Sequence, residues 1–179
     1  MGKRQCQINE FETVFHQYKD MVFRTAYLVL GDANEAEDML QEVFIRVHKH
    51  WGDYDSHKGA MSTWLRRITI NQCISSRRRK QLASVSLDKV MERGLDPPDA
   101  IRDNPEEHLM RNERSEMVWR AMDALDNNHR AVVVLRYFDD LSYEEIAKIL
   151  DIPLGTVKSR LNTAVRSLRM ELTAGGVTQ

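Results

Sequence analysis

The chain has 179 residues, of which 42% are hydrophobic and 30% are charged, and its formal net charge is -1. That length accommodates one large domain or two small ones, and the composition is typical of a soluble globular protein. With only 4 prolines and 8 glycines, helices are favoured over a turn-rich sheet protein, and the sequence contains no apolar run near the ~20 residues that cross a bilayer.

The N-terminus and the cysteines indicate where the chain works. Residues 1–7 lack the apolar core of a signal peptide, so we expect a cytoplasmic protein. Cys6 and Cys73 lie far apart and in no metal-ligand spacing, which predicts two free thiols in a reducing compartment, with a regulatory disulfide as the rarer alternative. We expect no cofactor.

The charge is unevenly distributed along the chain. Residues 1–80 carry 13 Lys+Arg against 10 Asp+Glu, and residues 155–179 carry 4 against 1, whereas the residues between them are net acidic. We expect the two basic parts to face nucleic acid. Because the chain as a whole is not basic, its affinity for DNA should be modest when it is alone.

Two helices are predicted first, at about 8–30 and from Asp32 to about residue 51. The first has a long apolar stripe that Gly31 ends, and Asp32 with Glu35 resembles a helix cap. The second helix buries a seam and exposes a polar face of Asp38, Gln41, Glu42 and Arg46. Taken alone, that face is most simply a solvent face with helix-stabilising ion pairs.

A polar loop at 52–59 precedes a third helix, about 61–80. The residues predicted to pack inward are Met61, Leu65, Ile68 and Ile74. The other face is aromatic, amide-bearing and strongly basic, with Trp64, Arg66, Arg67, Asn71, Arg77, Arg78, Arg79 and Lys80. This composition is expected where single-stranded DNA is held. A basic helix end that complements its own dipole is the simpler alternative, but four consecutive cations exceed what capping requires.

Prolines and acidic residues then predict a linker at about 81–105, followed by helices at about 105–125 and 128–138. Ser142 and Glu145 form a capping box that begins another helix, and Pro153 ends it. A last helix opens at Gly155 and Thr156, so these residues predict a helix-turn-helix.

The last helix has two distinct faces. Its apolar residues fall at steps of four, three and four, one buried stripe of Val157, Leu161, Ala164 and Leu168. The opposite face is cationic and hydrogen-bonding, as a helix in a DNA major groove requires: Lys158, Ser159, Asn162 and Arg166. The alternative is the solvated face of an ordinary bundle helix.

Three separated blocks of the sequence resemble bacterial sigma factors of the extracytoplasmic-function (ECF) type. They are residues 37–47, 62–71 and 152–161, and residues 125–138 are similar to the family's lead-in to the last block. The resemblance implies an all-α fold of two small helical domains joined by a flexible linker, the C-terminal one a helix-turn-helix. The implied boundaries are 1–80, 81–105 and 106–179. The resemblance also implies binding to core RNA polymerase and promoter DNA, regulation by an anti-sigma factor, and no enzymatic activity.

The resemblance also assigns residues to each role. The polymerase-binding residues would be Asp38, Gln41, Glu42 and Arg46, on a segment similar to the helix that docks on the clamp helices of the largest subunits. The residues that read and melt the -10 element would be Trp64, Arg66, Asn71, Arg77 and Arg78, with a flipped-base pocket in loop 52–60. The residues that read the -35 element would be Thr156, Lys158, Ser159, Arg160, Asn162, Thr163 and Arg166.

The chain departs from the family pattern at three positions. Ser75, Asp126 and Asp151 stand where the family commonly has aspartate, proline and glycine. The last of these is a turn position that can require a left-handed backbone, which aspartate tolerates better than most residues.

Two other functions remain open at this point. One is a dimeric operator-binding regulator, since helix-turn-helix regulators share the last block. The other is a helical metalloenzyme using His48, His50 and His57. Residues two apart on a helix do not share a face, and no partner motif for a metal accompanies these histidines.

Overall fold

The computed structural model describes the backbone of residues 2–84 and 116–174, and the side chains of residues 10–80 and 116–174. Within these residues every regular element is a helix, so the predicted all-α fold is confirmed. The chain divides into two compact units, the first holding residues 2–84 and the second most of residues 116–174. Among the described residues no helix is both long and apolar enough to span a membrane.

Three helices form the first unit: α1 (Gly2–Leu30), α2 (Ala33–Lys49) and α3 (Met61–Ser84), with a 3-10 turn at Trp51–Asp53. Each of the three packs against the other two. The large aliphatic side chains at their centre are fully buried: Val22, Val29, Val43, Val47, Leu65 and Ile70. Burying one such side chain contributes ~1.5–3 kcal/mol, so this centre fixes which faces of α2 and α3 remain exposed.

The corner between α1 and α2 forms as the sequence predicts. Gly31 has a φ of 82° and donates its backbone N–H to the Tyr27 carbonyl at 2.7 Å, a conformation that glycine adopts without steric cost. Asp32 then caps α2, because its carboxylate accepts the Glu35 N–H at 2.8 Å. The chain therefore reverses within two residues, and α2 lies back along α1.

The buried face of α3 differs from the predicted one. The predicted set is Met61, Leu65, Ile68 and Ile74. Only Leu65 of that set is fully buried, and the stripe continues through Thr69, Ile70 and Cys73 instead. An apolar pattern misses Thr69 because it is polar, yet its hydroxyl donates to the Leu65 carbonyl at 2.9 Å and is satisfied inside the helix.

The second unit is built on the C-terminal helices. Residues 116–123 form α4, and α5 (Asn127–Val133) runs on into a π-helical turn at Val134–Phe138. The helices α6 (Tyr143–Leu150) and α7 (Leu154–Ala174) follow, and α5 packs against α7. The buried residues include Val132, Val134, Leu135, Ile146 and Leu161.

Asp126 occupies the N-cap of α5, where the family commonly has proline. Its carboxylate accepts the backbone N–H groups of Asn128 and His129, both at 2.9 Å, and lies 2.6 Å from the His129 ring. Burial by itself raises the pKa of Asp126, but these hydrogen bonds outweigh it and lower the pKa below its ordinary value of 3.8. A side-chain cap thus begins this helix without proline.

Several predicted boundaries need correction. The first helix begins at Gly2, well before residue 8, and α3 runs on to Ser84, four residues into the predicted linker. The second helix ends at Lys49 and gives way to the 3-10 turn. The rest of the predicted linker, 85–105, and the first part of the fourth helix lie outside the described residues.

Candidate functional site

The helix-turn-helix begins with the predicted capping box. The Ser142 backbone N–H donates to the Glu145 carboxylate at 2.8 Å, and the Glu145 N–H donates to the Ser142 hydroxyl at 3.3 Å. These two hydrogen bonds satisfy backbone N–H groups at the start of α6 that have no partner within the helix. The side chains of Ile146 and Ile149 are buried and form the apolar side of this helix.

The turn between α6 and α7 has the left-handed backbone anticipated from the sequence. Asp151 has a φ of 56°, and the next residue, Ile152, donates its N–H to the Ala147 carbonyl at 3.1 Å. This is the geometry for which the family commonly uses glycine. The N–H of Thr156 then reaches back to the Pro153 carbonyl at 2.9 Å, which starts α7 immediately after the turn.

The two faces of α7 separate as the periodicity predicts. Val157, Leu161 and Ala164 are buried, and Leu168 is half-buried. The exposed members of the predicted set are Lys158, Ser159, Asn162, Thr163 and Arg166, and its half-buried members are Thr156 and Arg160. The Ser159 hydroxyl donates to the Thr156 carbonyl at 3.0 Å, so its lone pairs remain available on the exposed side.

The loop before α3 brings an aromatic partner to Trp64. The rings of Tyr54 and Trp64 lie 5.4 Å apart at an interplanar angle of 40°, and both side chains are half-buried. The Tyr54 hydroxyl donates to the Gly59 carbonyl at 3.3 Å and so spans the loop. Sequence reasoning missed Tyr54; an aromatic residue inside an otherwise polar loop was the available signal.

Two basic residues at the C-terminal end of α3 make contacts within the protein. Arg77 donates to the Val29 carbonyl at 2.7 Å, and the Lys80 ammonium lies 2.7 Å from the Glu35 carboxylate. These contacts join α3 to α1 and α2. In contrast, Asn71 and Arg78 are exposed, and Arg66 is half-buried. The predicted -10 residues all lie on α3. Arg77, however, also forms a hydrogen bond to α1 that the sequence did not indicate.

The predicted docking face of α2 is fully exposed. Asp38, Gln41, Glu42 and Arg46 all lie on the side away from the core. Between them lies one apolar residue that sequence reasoning did not single out, Ile45, with 56% of its surface exposed.

The histidines of the alternative metal site have other contacts. His50 lies 2.8 Å from the Asp53 carboxylate, and the His48 ring makes an edge contact with Phe11 at 5.2 Å. Among the described residues no group of three or more His, Cys, Asp or Glu side chains is arranged to hold a metal ion.

The second unit also contains an apolar groove of about 830 Å³. Residues of α4, the π-helical turn and the C-terminal half of α7 line it, among them Met122, Phe138 and Leu168. Tyr137 and Phe138 at its edge are exposed. Both residues belong to the π-helical turn at Val134–Phe138.

Comparison with known proteins matches two parts of the chain to regions of one protein family. Residues 14–83 match Sigma-70 region 2, and residues 121–170 match Sigma-70, region 4. The chain is 36% identical over 167 residues to the ECF RNA polymerase sigma factor SigW of Bacillus subtilis, covering 90% of this chain and 88% of the relative. It is 33% identical over 156 residues to the ECF RNA polymerase sigma-E factor of Escherichia coli K12, covering 83% of this chain and 78% of the relative.

Solved structures show the same fold. The sigma factor RpoE of Bartonella quintana, in complex with the anti-sigma factor NepR, matches with a TM-score of 0.72 at 20% identity, over 92% of this chain and 97% of that one. CnrH, in complex with the cytosolic domain of CnrY, matches with a TM-score of 0.64 at 20% identity, over 97% and 91%. With the capping box, the left-handed turn and the two-faced α7 in place, the chain belongs to the ECF subfamily of sigma-70 RNA polymerase sigma factors.

Proposed function

We propose that the chain carries out the work of an ECF sigma factor through three separate surfaces. Its family membership means that it binds core RNA polymerase and directs promoter-specific initiation of transcription. The division of that work among α2, α3 and α7 is the proposal. In it, residues 1–80 dock on polymerase and open the -10 element, 81–105 connect, and 106–179 read the -35 element.

The exposed face of α7 reads the -35 element. The observation that carries this assignment is the separation of a buried stripe, Val157, Leu161 and Ala164, from an exposed face that contains Lys158 and Arg166. A helix must present donors and cations on one side to enter a major groove, and must be anchored on the other.

The loop before α3 and the start of that helix hold the -10 element. The half-buried rings of Tyr54 and Trp64 offer planar surfaces, and bases stack on such surfaces in proteins that bind single strands. Taking a base out of the duplex costs a few kcal/mol, which stacking must offset. Exposed Asn71 and Arg78 add an amide for a base edge and a cation for phosphate.

The exposed face of α2 docks on core polymerase through Asp38, Gln41, Glu42 and Arg46. Chemistry then belongs to the polymerase, so the chain itself is not an enzyme, and it acts in the cytoplasm where polymerase is found. Charged docking faces confer specific pairing and fast association more than raw affinity.

We also propose an anti-sigma factor as a partner. The Bartonella quintana relative is described in complex with one, and the apolar groove of the second unit is a surface that a partner helix could fill. Exposed apolar patches that are rimmed by polar residues commonly mark protein interaction sites.

The experiment that tests the proposed function is run-off transcription with added core polymerase on a promoter library. Arg166→Ala or Lys158→Ala should weaken -35 recognition by ~1–3 kcal/mol if the side chain reads a base. Asp38→Ala and Glu42→Ala should reduce binding to core enzyme and leave the thermal unfolding midpoint unchanged. Unfolding of either carboxylate variant would count against α2 as the docking face.

A second candidate function is a polymerase-independent operator-binding regulator, which the helix-turn-helix alone would allow. A gel shift with and without core polymerase separates the two functions. The sigma assignment predicts little duplex binding by the chain alone and strong promoter binding with core enzyme. Tight operator binding without polymerase would favour the regulator.

A further inference from the structure

The exposed face of α2 contains one large apolar residue, and nothing in the fold requires it there. Among the side chains described between residues 10 and 80, Ile45 is the only large hydrophobic residue that is exposed, at 56%. The neighbouring positions Val43, Phe44 and Val47 are all buried and complete the seam of α2 against the first unit. Ile45 therefore adds little to the core of the protein.

On the exposed surface of α2, the positions around Ile45 are polar. The residues three and four positions away, Gln41, Glu42, His48 and Lys49, are all exposed and are its neighbours on the helix surface. Acidic residues precede it, with Asp38 one further turn away, and basic residues follow it. The exposed face of α2 thus has one apolar residue at its centre and a rim of polar and charged residues around it.

Helix formation explains the charged residues of this rim, but it does not explain Ile45 at the centre. Acidic residues near the start of a helix and basic residues near its end complement the helix dipole, so the order of the charges needs no partner. Isoleucine, in contrast, is β-branched and forms helices less readily than the straight-chain residues suited to an exposed position. Exposed to water, it stabilises neither the helix nor the core.

The arrangement has the anatomy of an interface hot spot. Binding energy in protein interfaces concentrates in a few central, desolvated side chains, and a rim of polar residues excludes water from them. We infer that Ile45 is the apolar anchor of the docking face and inserts into an apolar recess on core RNA polymerase. The recess would carry a basic group facing Asp38 and Glu42 and an acidic group facing Arg46 and Lys49.

This inference rests on the proposed docking of α2, and it assigns affinity and specificity to different residues. The charges of the rim set the orientation of the helix and the rate of encounter. Ile45 supplies the affinity that persists when those charges are screened, because burial of apolar surface does not weaken as salt screens charges.

The test measures equilibrium binding of the full chain to core polymerase at low and high salt, with fluorescence anisotropy as the readout. Ile45→Ala should raise the dissociation constant by ~10-fold or more, with a similar factor at both salt concentrations. Asp38→Ala should raise it at low salt and by a smaller factor at high salt. Ile45→Val, which removes a single methyl group, should fall between wild type and Ile45→Ala.

Gln17→Ala provides the matched control, because Gln17 is exposed on α1 of the same unit and outside the proposed face. It should bind as wild type does, and all variants should keep the wild-type unfolding midpoint. If Ile45→Ala binds within ~2-fold of wild type while Asp38→Ala weakens binding, the anchor is refuted and the docking face stands. If neither variant weakens binding, the anchor and the docking assignment of α2 both fail.

Discussion

Arg130 of α5 and Asp123 of α4 form an ion pair whose cation is fully buried. The Nη1 atom of Arg130 lies 2.7 Å from Oδ1 of Asp123, and the arginine side chain has no solvent exposure. The guanidinium also lies over the Trp119 ring, 5.6 Å from its centroid. A buried charge is costly unless it is paired, so this contact stabilises the packing of α4 against α5.

Removing the carboxylate should therefore destabilise the second unit. Asp123→Ala is expected to lower the free energy of unfolding by ~2–4 kcal/mol, since a charge is left in the interior. Glu116→Ala is the control, because the Glu116–Arg120 pair on the same helix is exposed and should contribute less than ~1 kcal/mol. Urea denaturation followed by circular dichroism measures both. Equal effects of the two substitutions would show that the Arg130 pair contributes no more to stability than the exposed pair does.

Asp140 is held in the left-handed region, with a φ of 51°, whereas its neighbour Asp139 has a φ of -98°. Left-handed backbone costs a non-glycine residue ~1 kcal/mol, and the side chain of Asp140, 3.5 Å from Arg136, is 96% exposed. Asp140→Gly should therefore raise the free energy of unfolding by ~0.5–1 kcal/mol. Asp139→Gly should lower it, because glycine there adds freedom to the unfolded chain and relieves no left-handed backbone. Denaturant titrations that rank the two variants in the opposite order would contradict this.

Cys73 should be chemically inert in the folded protein. Its thiol is fully buried, and burial raises its pKa from the ordinary 9.0 to about 12. Only the thiolate reacts with disulfide reagents, so a Cys6→Ser variant should label slowly when native and fully in urea. The raised pKa also means that its contribution to stability is complete below pH 9 and is lost as the pH rises from about 9 towards 12. Rapid native labelling of that variant at pH 8 would disprove the burial.

The sequence predicted best those features that depend on residues close together along the chain. The capping box needs only Ser142 and Glu145, and both of its backbone contacts form. The exposed and buried faces of α7 follow from a 3.6-residue period, so Val157 is buried and Lys158 is exposed as expected. The left-handed turn at Asp151 was anticipated because the family commonly has glycine there.

Features that depend on distant partners could not be read in this way. A period identifies which face of α3 is polar, but it says nothing about a carbonyl 48 residues earlier that accepts a hydrogen bond from Arg77. The burial of Thr69 depends on how α3 packs in the first unit, and its type alone suggests an exposed position, although its hydroxyl is satisfied by the Leu65 carbonyl. The exposure of Ile45 became visible only when the packing of α2 was known, since its type alone suggests the core.

Arg77 and Arg78 are adjacent cations that the sequence assigned together to promoter DNA, and the structure now separates them. Arg77 donates to the Val29 carbonyl at 2.7 Å, in the last turn of α1 where carbonyls have no partner within the helix. Arg78 is exposed. Arg77→Ala should therefore lower the free energy of unfolding by ~1–2 kcal/mol, and Arg78→Ala should change it by less than ~0.5 kcal/mol.

The two arginines should have the opposite order of importance for promoter opening, with Arg78 contributing more than Arg77. If Arg78 contacts a phosphate, Arg78→Ala should weaken formation of the open complex with core polymerase and reduce the salt dependence of promoter binding by a slope of ~1. Arg77→Lys keeps the charge but loses the planar donor geometry. It should therefore be less stable than wild type but keep the wild-type salt dependence of promoter binding. Permanganate footprinting of the -10 element and urea denaturation provide the two measurements. A stable Arg77→Ala variant with a reduced salt slope would return Arg77 to the DNA-binding surface.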